Sequence, residues 1–104
     1  MGNATITRIW HGVTKAEDGD AYLQYLKETG IEDYKKTNGN LSVQIWRRIE
    51  NDKCHFWTVT GWDGIESIKK FAGEDYEKAR YYREDAKYLL EFEPNVIHCK
   101  TFEF

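Results

Sequence analysis

The order in which strand-like and helix-like segments follow one another is the feature that most restricts how this chain can fold. Four segments are rich in β-branched and aromatic residues and are predicted to be strands: residues 5–13, 41–50, 54–62 and 96–104. Apolar residues recur at helical spacing in the two long intervals, and polar residues 51–53 predict a hairpin between the second and third strands. The resulting order is β-α-β-β-α-β. It predicts an α+β ferredoxin-like sandwich with an antiparallel four-stranded sheet.

Two local patterns predict where the helices begin. Thr14 with Glu17, and Asp63 with Glu66, have the spacing of a capping box, in which each side chain satisfies a backbone amide of the first helical turn. Strand one is therefore expected to stop at Thr14, and a helix is expected to follow at each place.

The residues after Gly73 are predicted to resume as helix. A second helical piece is expected from about Glu74 to Tyr82, and a third short one near residues 86–90. Pro94, the only proline, precedes the last predicted strand.

Length, charge and cysteine content narrow the class of protein. The 104 residues leave room for one domain, spanning residues 1–104. The net charge of -3 argues against a nucleic-acid or anionic-membrane partner. No apolar run approaches the roughly 20 residues that cross a bilayer, and no signal-peptide pattern is present, so a cytoplasmic location is predicted. Cys54 and Cys99 lack metal-type spacing and are expected to stay reduced, because strand one would separate the strands that carry them.

Alternation along the predicted strands puts apolar bulk on both faces of the sheet. Trp10 shares a face with Arg8, Ile9 shares the other with His11, and Trp46 points away from its apolar neighbours in strand two. Two helices can cover only one face, so a second copy of the sheet is predicted to cover the other, giving a homodimer. The alternative is that the tryptophans lie singly on a partly wet surface.

Several segments resemble the antibiotic biosynthesis monooxygenase superfamily: RIWHG, FAGEDYEKARYY, LLEFEPNVIH, and the strand that ends in Trp62 with the helix after it. The resemblance covers nearly the whole chain and implies a dimeric α/β barrel. Members of that superfamily include monooxygenases that oxidise phenolic polyketides or quinols without a metal or flavin, haem-degrading oxygenases, and proteins with no known activity. The resemblance therefore implies a fold and a dimer, and an enzyme without a cofactor if the protein is catalytic.

The haem-degrading members rely on an Asn in strand one and on a Trp and a His in the second helix. When the chain is aligned through Trp62, the two helix positions fall on Phe71 and Tyr81, and strand one has Thr7 or its neighbours where the Asn would be. None of the three matches, so haem degradation by that mechanism is not expected.

The three histidines, His11, His55 and His98, are expected to lie at one end of the sheet if strand one runs between strands three and four. His11 or His98 is a candidate general base, because imidazole titrates near neutral pH and can take a phenolic or enolic proton. The resemblance implies that the resulting anion would then react with oxygen. Two alternatives stay open: hydrogen-bonded residues at strand ends, or a zinc or iron site, although we expect no metal.

The candidate substrate-binding residues are Tyr81, Tyr82, Arg80 and Phe71, placed by the prediction in a cleft between the second helix and the sheet. Phenol and guanidinium groups can orient an oxygen-rich aromatic ligand. The alternative is that this aromatic stripe packs in the core.

Two hypotheses of function follow. The first is a cofactor-independent monooxygenase, or a related enzyme, that acts on a planar phenolic or enolic substrate. The second is a non-catalytic homodimer of the same fold that binds a small aromatic ligand or another partner. A cavity that receives His11 or His98 would favour the enzyme, and a filled core would favour the second hypothesis.

Overall fold

The computed structural model describes residues 5–104. The strands are β1 (Thr5–Lys15), β2 (Asn40–Glu50), β3 (Lys53–Trp62) and β4 (Ile97–Thr101). The helices are α1 (Gly19–Glu28), α2 (Gly30–Lys36), α3 (Ile65–Ala72) and α4 (Asp85–Tyr88). All strand pairs are antiparallel in the order β2-β3-β1-β4, which confirms the predicted α+β, ferredoxin-like sheet with strand one between strands three and four. None of the helices among these residues is long and apolar enough to cross a membrane.

The hairpin between β2 and β3 turns through Asn51 and Asp52. Asn51 has a φ of 58°, in the left-handed region that Asn adopts more readily than most residues. The turn fixes a register in which Trp46 lies opposite Trp57 and Arg48 lies opposite His55. These pairs place several large side chains side by side on one face of the sheet.

The core lies on the inner face of the sheet, the face covered by helices. Phe56 and Trp62 of β3 and Ile68 of α3 are completely buried, and Trp10 of β1 packs with Tyr22 of α1. Full burial of one such apolar side chain contributes about 1.5–3 kcal/mol. Apolar burial on this face therefore holds the helices to the sheet.

The outer face of the sheet is much more exposed. Trp46 is 51% exposed and Ile97 is 62% exposed, whereas Ile9 and Trp57 are half-buried among their neighbours. Trp10 does not belong to this face, because only 6% of it is exposed, beneath the helices. The apolar residues of the outer face are thus those that alternate with Trp10 along the strands, such as Ile9.

The first predicted capping box is wrong. Thr14 remains in β1, paired with Cys54, and the chain then makes a short 3-10 turn before α1 begins at Gly19. The amide of Ala16 donates to the carbonyl of Asp52 at 2.8 Å, which keeps the chain against the sheet where the helix was expected to start.

The second predicted capping box is also wrong in its contacts. Gly64 precedes α3 and no side chain caps the helix at this position. The Asp63 carboxylate instead accepts a hydrogen bond from the Ser67 hydroxyl, one turn into the helix. The predicted location of the helix is nevertheless correct, because its apolar face determines where it packs.

The helical piece predicted directly after Gly73 is wrong, and only the short α4 forms. Residues 73–84 are irregular and are called the covering segment below. The backbone of this segment pairs with the chain before β4: the amide of Ala79 donates to the carbonyl of Pro94 at 2.8 Å. A helix would use these backbone groups internally, so the tertiary pairing overrides the helical spacing of the tyrosines.

Candidate functional site

A cavity lies between the inner face of the sheet and the layer formed by α1, α2 and the covering segment. Its polar lining includes six residues: Arg8, Tyr34, Thr58, Arg80, Tyr82 and Asp85. The volume is about 20 Å³, on a scale where one water molecule needs about 10–15 Å³. In this closed form the cavity has room for a water molecule and no room for an aromatic ring.

Arg8 is the most unusual residue of the cavity. It sits in the middle of β1, only 2% exposed, and its guanidinium lies 5.3 Å from the centre of the Phe71 ring. One Nη donates to the carbonyl of Lys78 at 3.2 Å, but Nε–H has no hydrogen-bond partner. Within residues 5–104, no carboxylate forms an ion pair with Arg8. Burial lowers the pKa of Arg8, Tyr34 opposes that shift, and the nearby Arg80 guanidinium adds to it.

Three tyrosine hydroxyls surround the cavity. Tyr34 of α2 is hydrogen-bonded to Thr58 of β3 at 3.1 Å, and burial raises the pKa of Tyr34. Tyr22 donates to a carboxylate oxygen of Asp85 at 2.9 Å, and burial also raises the pKa of Tyr22. The phenols are therefore neutral hydrogen-bonding groups at physiological pH.

Asp85 is a buried acid at the start of α4, 3% exposed. Its second carboxylate oxygen accepts the backbone amide of Tyr82 at 2.5 Å. Burial raises the pKa of Asp85, and the two hydrogen bonds oppose that shift. Asp85 thus ties the end of the covering segment to Tyr22 in α1, and it makes no ion pair with Arg8.

The covering segment closes the cavity through Arg80 and Tyr82. The Tyr82 hydroxyl donates to Asp33 of α2, and Arg80 lies 3.4 Å from the same carboxylate oxygen. Arg80 also donates to the carbonyl of Phe71 at 3.0 Å and lies 4.7 Å from the centre of its ring. Arg80 and Tyr82 therefore line the cavity, carried by an irregular segment instead of the predicted helix, and Phe71 lies outside the lining in contact with Arg80.

Tyr81 does not line this cavity. Its ring packs 6.2 Å from Trp10 and 4.9 Å from Phe92, and its hydroxyl donates to the carbonyl of Glu93 at 2.6 Å. This is the core-packing alternative that the sequence left open for the aromatic stripe.

His98 lies on the inner face of the sheet, opposite Arg8 in the pairing of β1 with β4. Its ring packs 5.2 Å from the Tyr76 ring of the covering segment, and its buried Nε2 has no hydrogen-bond partner. Burial and the positive charge of Arg8 lower the pKa of His98. A neutral imidazole with an unused nitrogen thus lies next to Arg8, outside the lining of the closed cavity.

His11 lies on the outer face and His98 on the inner face, so the three histidines do not share a face, a point that the sequence left open. His11 Nε2 is 3.0 Å from Nδ1 of His55, Nδ1 contacts the Glu93 carboxylate, and the ring lies 5.1 Å from Trp57. Arg8, which lies opposite His98, and His11 are three residues apart in β1, so their side chains point to opposite faces. The two candidate bases therefore lie on opposite faces of the sheet. In the part of the chain that the structure describes, no group of three potential metal ligands comes together.

Sequence reasoning missed Arg8, Tyr34 and Asp85 as residues of the site. One signal was available for Arg8, since it alternates onto the same strand face as Trp10 and a charge on a core face is uncommon. Asp85 had no comparable signal, because its burial depends on the irregular path of the covering segment.

Solved structures with this fold include two that carry a functional description. One is described as a putative antibiotic biosynthesis monooxygenase from Nitrosomonas europaea, with a TM-score of 0.61 and 13% identity over 97% of this chain and 92% of that one. Another, given the same description, comes from Bacillus cereus, with a TM-score of 0.56 and 14% identity over 96% and 92% of the two chains. No protein-family model matches the chain, and no curated protein matches its sequence. The similarity supports the resemblance seen in the sequence, and at these identities it shows a common fold.

Proposed function

We propose that the protein is a small-molecule enzyme that oxidises a planar phenolic or enolic substrate with molecular oxygen, without a metal or flavin, in the cleft between helices and sheet. The observation that carries the proposal is the cavity on the inner face, where aromatic walls meet a buried guanidinium and three neutral phenols. Ligand sites are commonly apolar concavities with a few convergent polar groups. The fold shared with proteins described as monooxygenases supports the reaction class.

In the proposed reaction a base removes a proton from an activated methylene or phenol, and the anion passes one electron to O2. The two radicals combine to a peroxide, and loss of water leaves a ketone. The protonated base returns its proton to the peroxide, so that one oxygen atom of O2 enters the product and the other leaves as water, and all four electrons that reduce O2 come from the substrate. We assign the base to His98, whose neutral imidazole has a free buried nitrogen on the inner face. His11, on the outer face, has no role in this step.

Substrate entry requires the covering segment to move, because the closed cavity has a volume of only about 20 Å³. The segment is held over α2 through Asp33, which binds both Arg80 and Tyr82. The same segment also covers His98 through Tyr76. Its displacement would open the cavity and expose the proposed base in one motion.

We further propose that the outer face is covered by a second copy of the chain. Trp46 and Ile97 give this face large exposed apolar side chains, and such surfaces on soluble proteins usually mark an interface. The proposed homodimer leaves the two inner-face cavities separate, one in each subunit.

The test is oxygen consumption with anthrone, a planar ketone that enolises, which O2 converts to anthraquinone and water. The wild-type protein is expected to accelerate oxygen uptake above the rate in buffer. Ile31→Trp, which fills the cavity from α2, is expected to abolish the acceleration, and Ile49→Trp, at an exposed position of β2, is the matched control. Equal rates with both variants would contradict catalysis in the cavity.

A second candidate function is a non-catalytic homodimer that binds a small aromatic ligand. It uses the same cavity and also requires the covering segment to move, but it needs no base, which fits the position of His98 outside the cavity lining. No acceleration with anthrone, combined with ligand binding that Ile31→Trp abolishes, would favour this candidate over the enzyme.

A further inference from the structure

We infer that the ligand of the cavity carries an ionised oxygen group, either an aromatic carboxylate or an ionised phenol or enol, that pairs with the Arg8 guanidinium. This inference rests on the proposed use of the cavity as a ligand site. It adds the charge of the ligand and the residue that recognises it.

The first step of the argument is the burial of Arg8. Moving an ion out of water costs several kcal/mol even after the protein relaxes, and buried charges are therefore normally paired with an opposite charge. Arg8 is 2% exposed and lacks a carboxylate partner within residues 5–104, and its Nε–H donor is unused. Its neighbours are the Lys78 carbonyl, the Tyr34 hydroxyl and the Phe71 ring, and none of them is an acid that could neutralise its charge.

The second step is a comparison with other arginines of the chain. Arg47 pairs with Asp20, Arg48 approaches Glu50, and Arg80 pairs with Asp33, and all three are considerably more exposed than Arg8. Within residues 5–104 an acid thus lies beside three exposed arginines, whereas none pairs with the buried one, which needs a counter-charge most. Exposed Arg83 also has no ion pair there, but water solvates its charge. The buried position is left for an external anion.

The third step is the sign of the field in the cavity. The Arg80 guanidinium, which lines the same cavity, lowers the pKa of Arg8. The positive charge of Arg8 in turn lowers the pKa of His98. An anion placed beside Arg8 would be attracted by both guanidiniums, although Asp33 offsets part of the charge of Arg80. The Asp85 carboxylate also lies on the cavity, and its two oxygens accept hydrogen bonds from the Tyr22 hydroxyl and the Tyr82 amide. The hydroxyls of Tyr34 and Thr58, which lie on the cavity, offer further hydrogen bonds to the oxygen atoms of the anion.

The walls restrict the remainder of the ligand to a planar apolar group. Trp10, Tyr22 and Tyr34 border the cavity with aromatic rings, and Leu26 and Ile31 complete the apolar side. Aromatic rings pack in offset or edge-to-face contact with other rings, which suits a flat ligand. Flat apolar walls beside one guanidinium that lacks an acid partner favour a planar ligand with a single negative charge.

The test is calorimetric titration with benzoate and with benzamide, its neutral analogue, at neutral pH. We expect wild-type protein to bind benzoate at least about 10-fold more tightly than benzamide. Arg8→Met is expected to lose about 10- to 100-fold in benzoate affinity, equivalent to about 1.4–2.8 kcal/mol, and to leave benzamide unchanged. Arg83→Met, at an exposed arginine of the covering segment, is the matched control and should bind like wild type. Circular dichroism of each variant establishes that it is folded.

A second probe, 4-nitrophenol, examines the phenolate class directly, because its anion absorbs visible light. Bound to wild type, its pKa should fall, and bound to Arg8→Met it should not, since a guanidinium stabilises the anion. The inference is overturned if benzoate fails to bind wild type, if benzamide binds equally well, or if Arg8→Met binds benzoate like wild type. If benzoate binding depends on Arg8 while anthrone is not oxidised, the anion site stands and the proposed oxidation fails.

Discussion

Replacing Arg8 by methionine removes a buried charge while keeping an unbranched side chain of similar reach. The variant loses the hydrogen bond to Lys78, which is worth about 1.5–3 kcal/mol for a charged donor, and the contact with the Phe71 ring, worth about 0.5–2 kcal/mol. Against these losses, it removes the several kcal/mol needed to bury an unpaired ion and the about 1–3 kcal/mol associated with the unused Nε–H. The terms nearly cancel, so the free energy of unfolding should stay within about 1 kcal/mol of wild type or rise.

Urea denaturation followed by circular dichroism measures this difference. Arg80→Met is the informative comparison, because Arg80 is paired with Asp33 and donates to the carbonyl of Phe71. It should destabilise the protein by about 1–3 kcal/mol, since its removal leaves the Phe71 carbonyl without this donor and leaves Asp33 with the Tyr82 hydroxyl in place of an ion pair. For a domain of this size 1 kcal/mol corresponds to roughly 4–8 °C in melting temperature.

A loss of more than about 3 kcal/mol in Arg8→Met would refute the reasoning. Such a loss is typical of breaking a well-paired buried ion. It would mean that Arg8 is a structural residue with a satisfied environment, and the argument for an anionic ligand would lose its basis.

Three further predictions concern the histidine, the cysteines and the outer face. Burial lowers the folded-state pKa of His98 below its unfolded value near 6.5, so the unfolded state binds more protons and stability should fall as pH drops through that value. In His98→Gln the denaturation midpoint should therefore depend less on pH between about pH 7 and 5. The same pH dependence as in wild type would contradict this. A thiol reagent should label buried Cys54 only on unfolding, whereas a native bridge between Cys54 and Cys99 seen by mass spectrometry would contradict the strand order. Light scattering should give about twice the 12.3 kDa chain mass, Trp46→Glu should shift the protein towards monomer, and a monomeric wild type would contradict the homodimer.

The sheet could be predicted because its information is local. Each strand is a run of β-branched and aromatic residues. Because the turn at Asn51 is only two residues long, β2 and β3 are expected to pair with each other as a hairpin. The helix at α3 was predictable from apolar spacing that includes Ile68 and Phe71. Alternation also placed Trp10 and Arg8 on one face, but it could not say which face the helices cover.

The site was less predictable because it depends on contacts between distant segments. The covering segment has helical spacing of its tyrosines, yet pairing of Ala79 with Pro94 draws its backbone into another path. The two candidate bases depended on register, and pairing of His98 with Arg8 sends it to the face opposite His11. The burial of Asp85 and the missing partner of Arg8 are properties of the assembled fold that no local pattern records.

The most direct test of the central claim, that the cavity binds a planar anion at Arg8, is the NMR signal of the Arg8 Nε–H group during titration with benzoate. In the free protein this hydrogen has no acceptor. Binding should shift the resonance strongly downfield as a carboxylate oxygen accepts it, and benzamide at the same concentration should leave it nearly unchanged. A signal that stays in place at saturating benzoate, while signals elsewhere move, would contradict the claim.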